Sequence, residues 1–394
     1  MRVRLHLPRL AGQAGGRSGF HAAPRRSLAR NSYVPIDFTP DRWPKVLRNA
    51  QLWWSGRLGR PLIQVSVDGR DPGRPAPSLP MHHFLPSYGL QTPPEQIMDR
   101  LDWELSRLRF PGDAFPSLFT NFGAGVAAAF LGAEVEARHE TVWFAPKEVK
   151  DIADLHLRYD SANPWLARVR DFLRAAADRW RGAVQVSMTD LGGTLDVLST
   201  FRPSQLLLLD LYDHPDQVER LAWEIHELWF RYFDELDSAI RPTNPGYSAW
   251  PGFISDRPHY MLQCDFCYMI SPDMFVRFVR PELAATCRRL DRPFYHLDGP
   301  GQLRHLDSIL SIPELAGVQW IPGAGAPDCR HWPEVYRKIR DAGKLIQIWV
   351  GEDLSNLDVV ADQLGGAEGI IAVGQAPASK EDELLKLLAR YGAD

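Results

Sequence analysis

In the run Tyr295-His296-Leu297-Asp298-Gly299 an imidazole and a carboxylate stand two residues apart. On an extended strand, side chains at i and i+2 point the same way, so His296 and Asp298 share one face. Such a pair can ligate a divalent metal or act as an acid/base couple. It can equally be a histidine that caps a loop with Asp298 as its hydrogen-bond partner. His-x-Asp is a short pattern with many chance occurrences, and spacing alone leaves all of these open. Asp190 and Asp196 flank Leu191-Gly192-Gly193-Thr194-Leu195. Glycines let backbone approach a ligand closely, which makes Asp190 a candidate to receive a cationic or N–H-bearing group; Asp196 is expected to cap the helix that follows. Asp265 lies inside the lone CxxC of Cys264 and Cys267. A structural zinc normally needs a second pair, so two buried thiols are expected there, and Asp265 is the more interesting residue.

These groups need elements to carry them. Leu62 to Val67 is a β-branched run after Pro61 and reads as a strand. Further strand-like runs are Leu118–Phe122, Ala183–Met188, Phe294–Leu297, Val318–Ile321, Leu345–Val350 and Ile370–Val373. Between them lie helical patterns at Arg42–Trp54, Pro94–Arg109, Trp165–Ala177, a long helix to Ile240 capped by Asp213, and one from Ser271-Pro272 to about Leu290. Four more follow at Gly301–Leu310, Trp332–Ala342, Leu354–Leu364 and Lys380–Tyr391. Alternation of this kind implies parallel pairing through right-handed crossovers. The expected fold class is therefore α/β: a (β/α)8 TIM barrel with helical insertions, a single domain over residues 33–394. No GxGxxG fingerprint or phosphate-binding P-loop is present. In a barrel, chemistry collects at the carboxyl ends of the strands. The polar residues expected there are Asp68, Asn121, Thr189, Asp190, Asp196, Trp250, His296, Asp298, Gln319, Trp320, Glu352, Asp353 and Gln375.

Composition narrows the function classes. Of 394 residues 45% are hydrophobic, ample for a large core, and the formal net charge is −4, which gives no global basic field for nucleic acid. No apolar run approaches the roughly 18 residues needed to span a bilayer. The four cysteines do not look like a disulfide framework, and a reducing, cytoplasmic setting is expected. The 13 Trp and 11 Tyr suit a large core and an aromatic-lined cavity. Residues 1–32 are read apart from the fold: the first thirty contain seven Arg and no acid, and are taken as a disordered leader or an upstream start rather than a transit peptide.

Taken in order, several segments resemble the uroporphyrinogen decarboxylase family in the broad sense that includes the cobalamin-linked methyltransferases. They are Ser187 to Asp196, Trp250, Gln263-Cys264-Asp265-Phe266, Ile270 to Phe275, Tyr295 to Gly301, Arg304 to Asp307, Gln319 to Gly323 and Ala342-Gly343-Lys344. The resemblance covers roughly Pro61 to Tyr391 and points to a branch near the methyltransferases. It implies a (β/α)8 barrel. The decarboxylases hold substrate carboxylates with arginines of a Met-Arg-Gln-Ala-Gly-Arg run, which this chain lacks. The methyltransferases bind zinc through His-x-Cys and a distant Cys. Here His296-x-Asp298 falls at the first position, with Gln375 or its neighbours at the second. Zinc or another divalent metal on His296, Asp298 and Gln375 would be a harder site than one with thiolates.

Three functions follow as expectations. The first is metal-dependent methyl transfer or demethylation on a small methylated substrate or a corrinoid protein partner. The second is a cofactor-independent decarboxylase or lyase acting on a carboxylated substrate, either a smaller carboxylate or a porphyrin-like one, with Asp190 or Asp265 stabilising the protonated intermediate, His296 donating the proton, and Arg202 and Arg304 holding carboxylates. The third is a non-catalytic binding protein. The catalytic candidates are Asp190, Asp265, His296 and Asp298, and the substrate-binding candidates Asn121, Trp250, Gln319, Trp320 and Arg304. The resemblance also implies a homodimer.

Overall fold

A computed structural model describes residues 35–138, 141–350 and 353–394. The leader expected over residues 1–32, and Glu352, lie outside them. Eight strands carry the architecture: β1 (Leu62–Val67), β2 (Ser117–Phe119), β3 (Gln185–Ser187), β4 (His259–Leu262), β5 (Arg292–Asp298), β6 (Gly317–Ile321), β7 (Leu345–Trp349) and β8 (Ile370–Ala376). Six form one parallel sheet in the order β1-β8-β7-β6-β5-β4, and β2 pairs in parallel with β3 in a separate ladder. The arrangement is α/β and consistent with a TIM-like barrel.

The expected eight-stranded ladder is interrupted at two seams. At the open edge of β1, the Val67 N–H donates to the Arg109 carbonyl at 3.0 Å and the Arg109 N–H to the Val67 carbonyl at 2.8 Å. The segment after the helix Pro94–Ser106 thus occupies the edge that β2 would have taken, which is why that helix stops short of Arg109. Beyond β3, the Met188 N–H donates to the Ser248 carbonyl at 2.9 Å. Ser248 belongs to a short antiparallel pair, Tyr247–Ser248 with Ile254–Ser255, next to β4. In both places intruding segments satisfy the strand-edge groups that would otherwise stand unpaired.

Other boundaries shift for local reasons. Asp213 does not cap the long helix; it ends the preceding helix Ser204–Asp213, and the long helix runs Pro215–Ile240 from His214. The pattern from Ser271 divides into Pro272–Phe278 and Arg280–Arg289. Pro281 has no N–H to continue the first piece. Ser271 does cap it, accepting the Met274 N–H. The antiparallel ribbon Glu134–Ala137 with Val142–Ala145 had no counterpart in the pattern reading, and neither did β4.

The amino-terminal end of the sheet is closed by aromatics. Phe294 meets Trp53, Trp54 and Phe253, with ring centroids 6.1, 5.9 and 5.2 Å away. On the neighbouring strand a Cβ at Gly317 would lie 2.1 Å from the Phe294 ring, so only glycine fits. A buried ion pair fastens this end: Asp113 accepts from Arg60 Nη1 at 2.7 Å, Asn49 Nδ2 at 2.9 Å and the Ile63 N–H of β1 at 3.1 Å. Removing one partner of such a pair leaves uncompensated buried charge. Asp113→Ala is expected to lower stability by about 3–5 kcal/mol, read as a fall in the denaturant midpoint with the slope unchanged.

Candidate metal centre and the cavities beside it

At the carboxyl end of β5, His296 and Asp298 face the same side, as their spacing requires. The third group gathered with them is Asp265, from the turn after β4. One ligand atom from each of Asp265, His296 and Asp298 lies within 4.8 Å of the other two, so the three could hold a metal ion. His296 Nδ1 lies 2.5 Å from Oε1 of Gln319, which is buried beside it on β6. An amide oxygen only accepts, so Nδ1 is the donor in this contact, and in the neutral ring Nε2 is the nitrogen left for a metal. Partners of this kind commonly orient metal-binding histidines. Trp250 meets the His296 ring edge-on, with centroids 4.7 Å apart. Gln302, buried, lies beside the Asp265 side chain and favours its charged form.

Asp265 owes its place to Asp196. The Asp196 carboxylate accepts the backbone N–H groups of Asp265 at 3.0 Å and Phe266 at 2.7 Å. It lies in the first turn of the helix Thr194–Phe201, but caps the turn after β4 instead of its own helix. Gly193 permits the approach: a Cβ there would lie 2.2 Å from the Gln263 carbonyl and 2.5 Å from Asp196 Oδ2. Asp190 is buried, accepting from the Gly192 N–H at 2.8 Å and from Gln263 Nε2 at 3.5 Å.

The electrostatics follow from this crowding. Burial, with Asp265 nearby, pushes the Asp190 and Asp196 carboxyls up to about 7 despite the backbone N–H groups that favour their charged forms. Burial also raises Asp265; the His296 imidazole opposes that shift and Asp298 adds to it. A desolvated carboxylate without a cation nearby costs free energy.

The remaining candidates fall in different places. Asn121 bonds the His83 carbonyl and the Gly123 N–H, holding its own loop. Trp320 points away from Gln319 along β6 and meets Trp332 edge-on at 5.1 Å. Arg304 is exposed and donates to the Gly301 carbonyl at 2.9 Å. Arg202 is bound by Asp210 at 2.6 and 2.9 Å. Gln375 is exposed on β8 opposite Ser66 of β1. All four cysteines are free and buried. No helix of the described residues is long and apolar enough to cross a membrane.

Two cavities border the cluster, one at Asp298 and the other at Asp265. One, of about 640 Å³, is bounded by Asp298, Trp320, Ile321, Trp349, Val350 and Asn356. Two further carboxyls on its wall, Asp328 and Asp353, are tied by Arg330 at 2.7 and 3.2 Å. The other, of about 580 Å³, lies under the ribbon and is bounded by Asp265, Asp196, Trp143, Phe144, Phe266 and Ser199 among others.

No protein-family model matches the chain, and no curated protein matches it in sequence. Among solved structures, a methyltransferase from Methanosarcina mazei superposes with a TM-score of 0.54 at 14% identity, covering 84% of this chain and 93% of that one. At this identity the likeness establishes the fold. A macrophomate synthase covers 58% of this chain and 73% of its own at 17% identity, with a TM-score of only 0.22.

Two outcomes test the geometry. Asp190 favours its protonated form when folded, so its contribution to stability is full below the ordinary carboxylate range and is lost as pH rises from about 4 to about 7. Asp190→Asn keeps the acceptor and removes the charge. The metal-free variant should show a flatter pH dependence over that window and a gain on the order of a few kcal/mol at pH 8; an unchanged slope would contradict the assignment. Gly193→Ala should cost roughly 1–3 kcal/mol through overpacking, and near-neutral melting behaviour would contradict the close approach of the two turns.

Proposed function

We propose that the chain is a metal-dependent methyltransferase or demethylase, with the ion held by Asp265, His296 and Asp298. The observation that carries this reading is the convergence of two carboxylates on one imidazole whose Nε2 is left free by Gln319. The fold likeness to a methyltransferase and the resemblance of the motifs to the cobalamin-linked branch support it. One nitrogen and two oxygens suit zinc or a harder divalent ion. Asp265 takes the place for which Gln375 was the sequence candidate. Bound there, such an ion would act as a Lewis acid, making a thiol or hydroxyl acceptor more nucleophilic near neutral pH.

The protein's own residues then have definite tasks. Gln319 holds the His296 ring and its proton at Nδ1. Gln302 and the Asp196-capped turn hold Asp265. The cavity walled by Trp320, Ile321 and Trp349 receives the small acceptor and screens it from water. The second reactant brings the methyl group, either as a small methylated compound or on a corrinoid protein. A homodimer, which the family resemblance implies, remains part of the proposal.

The decarboxylase alternative requires cations for substrate carboxylates. Arg202 is committed to Asp210, and Arg304 is engaged with the Gly301 carbonyl. Neither cavity at the cluster is lined by a lysine or arginine among the described residues. These facts favour methyl transfer over decarboxylation of a polyanion, and over a binding protein for one.

Elemental analysis of the purified full chain should find about one divalent ion per chain after soaking in zinc and dialysis. Asp298→Ala and His296→Ala should abolish uptake. Gln319→Leu should weaken it by about 10–100-fold, the usual loss when the partner of a ligating histidine is removed. Absence of any stoichiometric ion in the parent protein would overturn the metal reading.

A further inference from the structure

Beside the cluster, the cavity under the ribbon has walls that the metal reading uses only through Asp265. Its walls include Trp143, Phe144 and Phe266, with Met269 at the edge and two carboxylates, Asp196 and Asp265. Among the described residues, none lining it is a lysine or arginine. Trp143 is 56% exposed and Met269 46%, so apolar surface is presented where a ligand would enter. The nearby Arg202 is turned away, its guanidinium paired with Asp210 and the Lys150 carbonyl.

Aromatic faces attract cations through their quadrupoles, most strongly when the cation is weakly hydrated. Carboxylates reinforce the attraction at short range. An ammonium with N–H groups would seek hydrogen bonds. A methylated onium cation has none to make and needs apolar contact together with negative potential. The cavity supplies both, and its volume of about 580 Å³ is ample for such a group.

We propose that this cavity binds a methylated onium cation, a quaternary ammonium or a sulfonium, as the methyl donor. The proposal rests on the methyl-transfer reading. It assigns the donor to the ribbon side and the acceptor to the Trp349 side. Displacement at a methyl carbon requires donor and acceptor on opposite faces of that carbon, in line. Asp265 borders one cavity and Asp298 the other, and their ligand atoms lie within 4.8 Å of one another. Each reactant thus has its own cavity bordering the cluster. The balance is complete without a redox partner. The C–N or C–S bond breaks with its electron pair left on the donor, which becomes neutral. A lone pair of the acceptor forms the new bond to carbon, and the acceptor's proton passes to water.

The test uses the full chain as purified and follows binding by calorimetry. Choline is the probe, 3,3-dimethylbutan-1-ol its neutral isostere, and the trimethylsulfonium ion the second onium. Choline or trimethylsulfonium should bind at least tenfold more tightly than the isostere, and the tighter of the two identifies the donor's heteroatom. Trp143→Ala, at an exposed position on the cavity wall, should weaken onium binding at least fivefold with zinc uptake unchanged. Equal binding of choline and the isostere, no binding of either onium, or an unaltered affinity in Trp143→Ala overturns the assignment. Zinc uptake is measured separately on the same protein. Loss of the metal reading with onium binding intact, and the reverse, are thus distinct results.

Discussion

The carboxyls of Asp190, Asp196, Asp265 and Asp298 crowd together with no guanidinium or ammonium group paired to them among the described residues. The charges acting most strongly on Asp190, Asp196 and Asp265 are those of one another, of Asp298 and of His296. Desolvation makes such an arrangement costly, and the surrounding structure is organised to hold it. Backbone N–H groups of Gly192, Asp265 and Phe266 are aimed at the carboxylates, and glycines let the strands' following turns approach closely enough to do so. The Asp196 contact ties the turn after β3 to the turn after β4. Without it, Asp265 would have no fixed position relative to His296.

The contrast between the two ends of the sheet follows from the same constraint. The amino-terminal end is plugged by Trp53, Trp54, Phe253 and Phe294, and the Arg60–Asp113 pair there is fully engaged. That end is built for stability. The carboxyl end carries carboxyls raised to about 7 and two cavities. Strain of an electrostatic kind is concentrated where ligands can relieve it, as is common for functional sites.

Much of the scaffold is legible in the chain because its signals are local. The β-branched run of β1 and the alternation of strands with helices follow from neighbouring residues. So does the shared face of His296 and Asp298. What is not legible depends on distant partners. β4 reads His259-Tyr260-Met261-Leu262, with no β-branched residue, and is a strand because Phe294 and Tyr295 of β5 pair with it. The role of Asp196 could not be found from its own helix, since its partners lie about seventy positions away. Gln319 is visible as a polar residue at a strand end. Only the register of β5 against β6 brings it to His296. The seams in the ladder are of the same type: nothing local to Val67 shows that Arg109 takes its edge.

In the proposed metal site Asp298 stands where the family resemblance implies a cysteine, and Asp265 would add a second oxygen. A thiolate donates strongly and offsets much of a metal's charge by itself, whereas a carboxylate does so mainly electrostatically. Two carboxylates and an imidazole beside a buried glutamine would form an oxygen-rich set. Asp265 comes from the turn after a different strand, so something other than the strand that carries His296 must position it. Asp196 supplies that positioning. Asp196 also lines the ribbon cavity, so the contact that positions Asp265 bears on both the proposed metal site and the cavity beside it.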